Sequence, residues 1–366
     1  MYKSSDHSAV HSSFPRSMST RSDVTFRIAN TLTYWPWPRR INPHYEEVKA
    51  ESEAWFQSFK AFGPESQRAF DRCNFSLAAS LGYPTATKEH LRTGCDLMNI
   101  FFVFDEYTDY ASPEVARRYA DIIMDAIRNP FEPRPSGEVV LGVIAQEFWV
   151  LGVQSASSSA QKHFLESFKE YTDSVVQEAE HRQQHHIQNI EDYFNTRRLN
   201  AAIYVLHSML ELSYDLPDEV FNHPAVVTLR RLGCDMMIMN NDISSYNKEQ
   251  ALEEHPFNIL TSVMHELTCD LHTAVSWVED RHRSTRNKFL TLWTEIPSWG
   301  PETDVTVSLY LHGVANWVCA NNCWSFESER YFGTNGRAVQ QNRMVTLMPR
   351  QFSMSEPLLI HTLQST

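Results

Sequence analysis

One stretch of this chain, residues 87–108, is apolar around most of its circumference when it is drawn as a helix. A helix on the surface of a globular protein is apolar on one face only, so a helix that is apolar all round has to be surrounded by other elements. The stretch therefore predicts a central helix with neighbours on every side. The residues that support this are Leu97, Met98, Ile100, Phe101, Phe102, Val103 and Phe104.

Helical periodicity continues along nearly the whole chain from Glu46 onward, with prolines at or near the predicted breaks. Proline is tolerated in the first turn of a helix and disfavoured in its interior, so most of these prolines mark helix starts. No run of alternating apolar residues is long enough to predict a strand. We therefore expect one all-α domain. The predicted helices are 45–61, 64–81, 87–108, 112–128, 137–153, 158–185, 190–212, 224–252, 256–284, 286–295 and 302–325.

The charge balance of the chain limits its partners. With 32 basic and 45 acidic residues, the net charge is −13 with histidine taken as neutral. Binding to nucleic acid depends on neutralising phosphates, so we expect no nucleic-acid partner. No stretch approaches the roughly 20 apolar residues of a membrane helix, so no membrane span is predicted. The six cysteines form no CxxC pair, which favours buried thiols in a reducing compartment such as the cytoplasm.

The two ends of the chain differ in composition from the middle. Residues 1–25 are rich in Ser, His and Arg, which favours a disordered tail, although a transit peptide has a similar composition. The predicted domain spans 26–333, and the polar residues 334–366 form a C-terminal tail that could be ordered in part. Residues 31–45 carry three prolines among aromatic residues and are expected to pack on the domain in an extended conformation.

Three carboxylates lie at the end of the central helix: Asp105, Glu106 and Asp109. Positions i and i+4 share one face of a helix, so Asp105 and Asp109 point the same way. Two crowded carboxylates repel each other, and a divalent cation removes that cost. Mg²⁺ prefers oxygen ligands and commonly bridges carboxylates to a substrate phosphate. Taken alone, the motif also fits a solvated acidic helix end before a loop.

A second oxygen-rich face follows the other very apolar helix, 224–252. Asn241, Ser245 and Glu249 fall at i, i+4 and i+8, so they line one helical face over two turns. An amide oxygen, a hydroxyl and a carboxylate in a row offer three ligands for another Mg²⁺. A hydrophilic helix terminus is an equally good reading of this motif alone. Two such faces, each directly after an unusually apolar helix segment, favour metal binding over coincidence.

Several cationic side chains could bind an anion between these faces. Arg197 and Arg198 are adjacent, and Arg330 is followed by Tyr331. Arginine donates in a planar fork that suits phosphate oxygens, and tyrosine adds a hydroxyl donor. Lys248 lies within the second motif and could add a point charge. A single arginine is more often a surface residue or an ion-pair partner, and we interpret Arg92, one turn from Asp96, in that way.

The chain also contains many aromatic residues, 44 in total as 9 Trp, 14 Tyr and 21 Phe. Ring faces stabilise a nearby cation by about 0.5–2 kcal/mol each, and a wall of rings excludes water that would quench it. Plain core packing is the more common role for any one ring. The candidates for lining an apolar cavity are Phe101, Phe102, Phe104, Trp149, Trp317, Trp324 and Phe326.

Together, these features fit one reaction class. Two metal sites and a set of arginines could bind a diphosphate and stabilise the charge that develops on it as an allylic C–O bond ionises. The resulting organic cation would then face a dry aromatic pocket. The pattern therefore indicates terpene cyclisation started by ionisation.

From about Trp35 to Phe332, the chain resembles the fungal, basidiomycete-type class I sesquiterpene synthases. DEYTD at 105–109 matches the aspartate-rich motif of that family, with Glu at its variable second position. Asn241, Ser245 and Glu249 match the family's NSE triad, and Arg330-Tyr331 matches its RY pair. The resemblance implies the class I α-domain, a helical bundle around an apolar active-site cavity. It further implies three Mg²⁺ ions, replaceable by Mn²⁺, and farnesyl diphosphate as substrate.

The resemblance also assigns roles to residues, with one departure. It implies that Asp105 binds metal together with the triad and that the RY pair donates to the diphosphate. The family usually reads Arg-Arg-x-Thr-x-Gly where this chain has Arg197-Arg198-Leu199-Asn200-Ala201-Ala202. The arginines are retained, and the diphosphate-sensor role is carried over to Arg198. The glycine is Ala202, so its role is either lost or met by a differently shaped helix break.

Two other functions fit parts of the pattern. A chain-elongating prenyltransferase shares the reaction type but requires two aspartate-rich motifs, and the second motif here is the mixed triad. A non-catalytic helical interaction protein could keep the fold without the chemistry. We expect a monomer or homodimer with a small-molecule substrate. The product is not predicted, because it depends on the shape of the cavity at the scale of single methyl groups.

Overall fold

A computed structural model describes residues 24–350, apart from 185 and 253–255. The described residues form fifteen α-helices, two 3₁₀ helices and one two-stranded ribbon, which confirms the predicted all-α fold. The α-helices are α1 Tyr45–Ser58, α2 Pro64–Arg72, α3 Phe75–Gly82, α4 Lys88–Thr108, α5 Pro113–Arg128, α6 Leu141–Gly152, α7 Ser158–Gln183, α8 Ile190–Asn200, α9 Ile203–Ser208, α10 Asp218–Phe221, α11 Pro224–Leu252, α12 Ile259–Leu267, α13 Leu271–Trp293, α14 Pro301–Glu327 and α15 Gly336–Asn342. The 3₁₀ helices are Met209–Ser213 and Gly333–Asn335, and the strands are β1 Thr25–Arg27 and β2 Met344–Thr346.

The predicted central helix is α4. Thr87 caps its first turn, since the Thr87 hydroxyl accepts a hydrogen bond from the His90 backbone N–H. From Leu91 to Thr108 most of its residues are buried, and it packs against α1, α3, α5 and α6. Burial on nearly every side explains why the stretch is apolar around its circumference.

The second apolar helix, α11, is also an inner helix. It packs against α14 and α13 most extensively, and against α8, α9 and α12 as well. Its residues from Leu232 to Asn240 are all buried. Both α4 and α11 therefore pack against several neighbouring helices, and the predicted metal motifs lie in their carboxyl-terminal turns.

Three predicted helices are each split in two, and in each case a residue with positive φ lies at the break. These residues are Asn74 (φ 48°), Ala202 (φ 57°) and Thr268 (φ 49°). A left-handed residue ends the hydrogen-bond ladder of a helix, and glycine is the usual residue there. None of the three is glycine, so the apolar pattern continues across each break without a signal.

The prediction that the chain has no strand was wrong by one short ribbon. β1 and β2 pair antiparallel, with Phe26 opposite Val345, so the two ends of the described chain meet. Three-residue strands are too short to produce a detectable alternation. Of the predicted disordered tail 1–25, residues 1–23 lie outside the described residues, as do 351–366 of the predicted C-terminal tail. Among the described residues, no helix combines the length and apolarity that crossing a bilayer requires.

The aromatic segment before α1 packs on the body as expected. Trp35 Nε1 donates to Ala315 O at 3.2 Å, and Trp37 Nε1 donates to His312 Nδ1 at 2.6 Å. Arg39 then forms a two-bond ion pair with Glu327, with N–O distances of 2.7 and 2.8 Å. These contacts bind the segment to α14, close to the Arg330-Tyr331 pair that follows this helix.

Candidate active site

The carboxylates at the end of α4 face the arginine that follows α14. Arg330 Nη2 lies 3.5 Å from Asp105 Oδ2, and Arg330 Nη1 lies 3.4 Å from Glu106 Oε1. The guanidinium also lies over the Phe102 ring, 5.0 Å from its centroid. The next residue along the chain, Tyr331, turns to the other motif.

Tyr331 accepts a hydrogen bond of 2.8 Å from Asn241 Nδ2, on α11. Arg330 and Tyr331 are neighbours in sequence, and one contacts α4 while the other contacts α11. The two predicted metal motifs therefore lie on either side of the same Arg-Tyr pair. This arrangement is what the binding of one diphosphate between both motifs would require.

Of the two adjacent arginines, only Arg197 reaches the triad. Arg197 Nη2 donates to Asn241 Oδ1 at 3.1 Å and lies 3.5 Å from Asp242 Oδ1. Arg198 instead pairs with Asp235, with its Nε 2.6 Å from Asp235 Oδ1. The diphosphate-sensor role carried over to Arg198 therefore fits Arg197 better. Successive residues of a helix point about 100° apart, and sequence alone did not indicate which one faces inward.

Asn258, which the sequence reasoning missed, supports the triad from the start of α12. It is buried, and its Nδ2 donates to Glu249 Oε2 at 2.9 Å and to Asp242 O at 2.8 Å. Its Oδ1 caps α12 by accepting from Leu260 N at 2.9 Å. An asparagine two residues after Pro256 is a recognisable helix cap, but that signal does not reveal its contact with Glu249.

A further carboxylate, Glu178 on α7, was also missed. It accepts a hydrogen bond from Asn200 Nδ2, and Asn200 Oδ1 in turn accepts one from Arg197 Nη1 at 2.6 Å. Loss of hydration around Glu178 raises its pKa, and nearby Asp105 adds to this effect. Two α-helices separate Glu178 from the α4 motif in sequence and three separate it from the triad, and a lone glutamate in a helical pattern gave no hint of its position.

Burial, with a smaller contribution from neighbouring acids, raises the pKa values of the carboxylates in the site. The side chain of Asp105 is 45% exposed, but it is closely surrounded by protein, and this loss of hydration raises its pKa. Burial raises the pKa of Asp109 well above its ordinary value, and Asp105 contributes next. Burial likewise raises the pKa of Glu249 to about 7, with Asp242 as the second cause. The positive charge of Arg330 lowers the pKa of Lys248, so the Lys248 ammonium lies near the Arg330 guanidinium.

The donor atoms of the site suit a hard divalent cation. Within the part of the chain that the structure describes, no three His, Cys, Asp or Glu side chains converge as a metal cluster. The α4 motif instead offers carboxylates, and the α11 motif mixes an amide, a hydroxyl and a carboxylate. Burial raises the pKa of Asp105, Asp109 and Glu249, and neighbouring acids add to the effect, so added positive charge would stabilise the ionised carboxylates. The residues therefore fit Mg²⁺, which takes oxygen ligands and keeps some waters.

The helix break after Arg197 is retained although its glycine is replaced. Ala202 has φ 57° and ψ 8°, a left-handed conformation that glycine adopts at lower cost. Its carbonyl accepts a hydrogen bond from Leu206 N at 3.1 Å and so starts α9. A helix break is therefore present with alanine at the position of the family's glycine, and the role of this residue stays a prediction.

The aromatic candidates divide into two groups. Trp149 is stacked on Phe164 at 4.0 Å, and Phe326 is stacked on Phe332 at 5.3 Å, so both belong to the packed core. The others also belong to the core or pack against it, and they lie on α4 or α14. Phe102 stacks on Phe75, Trp324 Nε1 donates to Cys73 O at 2.8 Å, Trp317 meets the Tyr83 ring edge-on at 5.0 Å, Phe101 meets Tyr171 edge-on at 5.2 Å, and Phe104 meets Tyr171 edge-on at 5.9 Å.

Comparison with known proteins agrees with this site. Residues 96–288 match the model of the terpene synthase family 2, described as a C-terminal metal-binding domain. The match covers α4 with its carboxylates and α11 with the triad.

Curated relatives match over most of the chain. A Δ(6)-protoilludene synthase of Stereum hirsutum is 49% identical over 325 residues, which is 88% of this chain and 88% of that protein. Sesquiterpene synthase 14 of Postia placenta is 49% identical over 88% of this chain and 92% of its own length. The Δ(6)-protoilludene synthase of Armillaria gallica is 47% identical, with 89% and 94% covered.

Solved structures share the fold at low sequence identity. The crystal structure of α-eudesmol synthase superposes with a TM-score of 0.72 at 19% identity, covering 80% of this chain and 98% of that one. Germacradien-4-ol synthase from Streptomyces citricolor has a TM-score of 0.69 at 22% identity, with 79% and 96% covered. Family match, relatives and fold agree that the chain belongs to the terpene synthase family and is a terpene cyclase.

Proposed function

We propose that the chain is a Mg²⁺-dependent sesquiterpene synthase that ionises farnesyl diphosphate and cyclises the resulting cation. The single observation that supports this most is that Arg330 contacts Asp105 while Tyr331 contacts Asn241. A diphosphate held at this pair would lie between both sets of oxygen ligands. In this proposal Asp105 and Asp109 hold metal on one side, and Asn241, Ser245 and Glu249 hold it on the other.

Three Mg²⁺ ions are expected with the diphosphate, and Mn²⁺ could replace them. The chemistry supplied by the metal when bound is stabilisation of negative charge on the diphosphate as the C–O bond ionises. The chain itself contributes Arg197, Arg330 and Lys248 as cations and Tyr331 as a hydroxyl donor. These groups bind and orient the diphosphate, and they keep the leaving group in place after ionisation.

The apolar part of the substrate requires a different surface. Phe101 and Phe102 lie on α4, and Trp317 and Trp324 lie on α14, which precedes the Arg-Tyr pair. All four are proposed to face the prenyl chain. Their rings would stabilise cationic intermediates and exclude water. Buried ring packing on the outer side, as between Phe102 and Phe75 at 3.7 Å, would hold each ring in one orientation.

For the product, we propose Δ(6)-protoilludene. Relatives with this name are 46–49% identical to the chain over about nine tenths of its length. The site residues discussed above do not discriminate among sesquiterpene products, so this part of the proposal rests on the relatives alone. The cytoplasmic location and the monomeric or dimeric state stay predictions.

The decisive experiment is incubation of the purified protein with geranyl, farnesyl and geranylgeranyl diphosphates, each with and without Mg²⁺. Gas chromatography with mass spectrometry should show Δ(6)-protoilludene from farnesyl diphosphate only when Mg²⁺ is present. Glu249→Gln and Asn241→Ala should abolish diphosphate release. Full turnover by both variants would remove the proposed metal site. Condensation of farnesyl diphosphate with isopentenyl diphosphate would instead identify a chain-elongating prenyltransferase.

A further inference from the structure

The two ends of the described chain form a ribbon behind the helix that carries the triad. β1 and β2 pair from Thr25 opposite Thr346 to Arg27 opposite Met344. The pairing extends beyond the strands, because Leu347 N donates to Val24 O at 2.9 Å. Phe26 at the centre of β1 is buried and meets the ring of Tyr246 edge-on at 6.3 Å. The ribbon is therefore packed against the last turns of α11.

One side chain of α11 binds this ribbon at two points. Asn247 Nδ2 donates to Thr346 O at 3.1 Å, and Asn247 Oδ1 accepts from Met348 N at 2.7 Å. Gln250, one turn further on, adds a third bond from its Nε2 to Met348 O at 2.9 Å. All three bonds join a side chain to backbone, so Asn247 and Gln250 replace the partner that an edge strand would otherwise need.

Asn247 points away from the metal face. Two residues along a helix correspond to a rotation of about 200°, so Asn247 lies nearly opposite Ser245. Asn241 and Glu249 lie within about 40° of Ser245 on the other side. The ribbon therefore contacts the face of α11 that is opposite the face carrying the triad. The face that carries the triad is contacted separately by Asn258, whose Nδ2 donates to Glu249 Oε2 at 2.9 Å.

We propose that Asn247 is a positioning residue that fixes the metal triad by tying α11 to the ribbon formed by the two chain ends. This inference rests on the proposed function, because it assumes that the triad binds Mg²⁺. Mg²⁺ requires near-octahedral geometry with oxygens at about 2.0–2.1 Å. Ser245 and Glu249 lie in the last two described turns of α11, Pro224–Leu252. Helix ends open more readily than helix centres, so these ligands need support from outside the helix.

The test uses the full-length protein and inorganic diphosphate, so it does not depend on turnover. The thermal unfolding temperature is measured across a Mg²⁺ titration for the wild type and for Asn247→Ala. We expect the Mg²⁺ concentration at half of the thermal shift to rise about tenfold in the variant, at the low end of the effect of residues that support metal ligands. Hydrogen exchange without ligand should be faster in residues 245–250.

Two further variants separate positioning from simple loss of stability. Val226→Ala removes buried volume at the opposite end of α11, where Val226 is 1% exposed, and it touches neither ribbon nor triad. It should lower the unfolding temperature without moving the Mg²⁺ midpoint. Gln250→Ala removes one bond of the three, and it should raise the midpoint by less than Asn247→Ala. If Asn247→Ala does not fold, Gln250→Ala alone carries the test.

The possible results are distinct. A wild-type Mg²⁺ midpoint in Asn247→Ala and Gln250→Ala would overturn the proposal, and so would an equal rise in Val226→Ala. Failure of the proposed function has another signature. In that case the wild type itself would show no Mg²⁺-dependent shift with diphosphate, and Glu249→Gln would behave like the wild type, which would overturn the inference as well.

Discussion

Arg330 Nη2 lies 3.5 Å from Asp105 Oδ2, and this contact joins the segment after α14 to the end of α4. On the other side of the site, Arg197 Nη2 contacts Asn241 Oδ1 at 3.1 Å. One member of each predicted metal motif is therefore paired with an arginine that is proposed to bind diphosphate. In the proposed function, metal would replace the arginine at each metal-binding group and diphosphate would replace that group at each arginine, so the two ligands are expected to bind together.

The first prediction concerns the fork of Arg330. Arg330→Ala should lower kcat by about 10²–10³, the usual effect of removing one preorganised donor from a developing negative charge. Arg330→Lys keeps the charge but loses the planar pair of donors, so its kcat should fall between those of the wild type and the alanine variant. Steady-state release of diphosphate measures both. An alanine variant with wild-type kcat would exclude Arg330 from the site.

The second prediction separates the adjacent arginines. Arg197→Ala should lower kcat by about 10²–10³, because Arg197 reaches Asn241 and Asp242. Arg198→Ala should leave kcat nearly unchanged and lower the unfolding temperature, because Arg198 pairs with Asp235 away from the triad. Diphosphate release and thermal unfolding of the two variants give the comparison. The reverse result would return the sensor role to Arg198.

Helix bounds were predicted most accurately from the sequence where a helix is buried on most sides and its apolar pattern is continuous. The predicted interval 224–252 is helical throughout in α11, and 87–108 differs from α4 by one residue. Both are inner helices, so burial selects nearly every residue along them. The spacing of Asn241, Ser245 and Glu249 on one face followed directly from the regular helix.

Prediction failed where the backbone departs from regular geometry or where contacts are long-range. The breaks at Asn74 and Ala202 depend on single left-handed residues that interrupt no apolar pattern. The contact of Asn258 with Glu249, and the choice of Arg197 over Arg198, depend on how helices pack. Pairing of β1 with β2 joins residues more than 300 positions apart, a distance over which a local pattern carries no information.

The third prediction concerns the strained break at Ala202. Alanine at φ 57° occupies a region that costs an L-residue roughly 1–2 kcal/mol, and glycine avoids this cost but loses more chain entropy on folding. Ala202→Gly should therefore be neutral or stabilising by up to about 1 kcal/mol. Ala201 has φ −71°, so Ala201→Gly gains nothing and should destabilise by about 0.5–1 kcal/mol. Chemical denaturation of both variants tests the difference, and equal destabilisation would contradict it.

The fourth prediction concerns pH and uses Glu249→Gln in buffer without divalent metal. Burial raises the pKa of Glu249 to about 7 in the folded protein, above its ordinary value of 4.5. Between these values the folded protein retains a proton that the unfolded chain has lost, so this group's contribution to stability falls as pH rises toward 7. Glutamine does not titrate and resembles the protonated acid. The variant should therefore gain unfolding temperature relative to the wild type as pH rises from 5 to 8.

The unfolding temperature of Glu249→Gln must be compared with that of the wild type, because two buried histidines change stability with pH in the opposite direction to Glu249. Burial lowers the pKa of His282 to about 3 and that of His207 well below its ordinary value. Since the unfolded chain protonates these histidines below about 6.5, their contribution to stability is lost on acidification. Both proteins share them, so they cancel in the difference. A difference that stays constant from pH 5 to 8 would show that Glu249 is ionised throughout. With Mg²⁺ and diphosphate the wild type should instead gain stability as pH rises, because the metal requires the carboxylate.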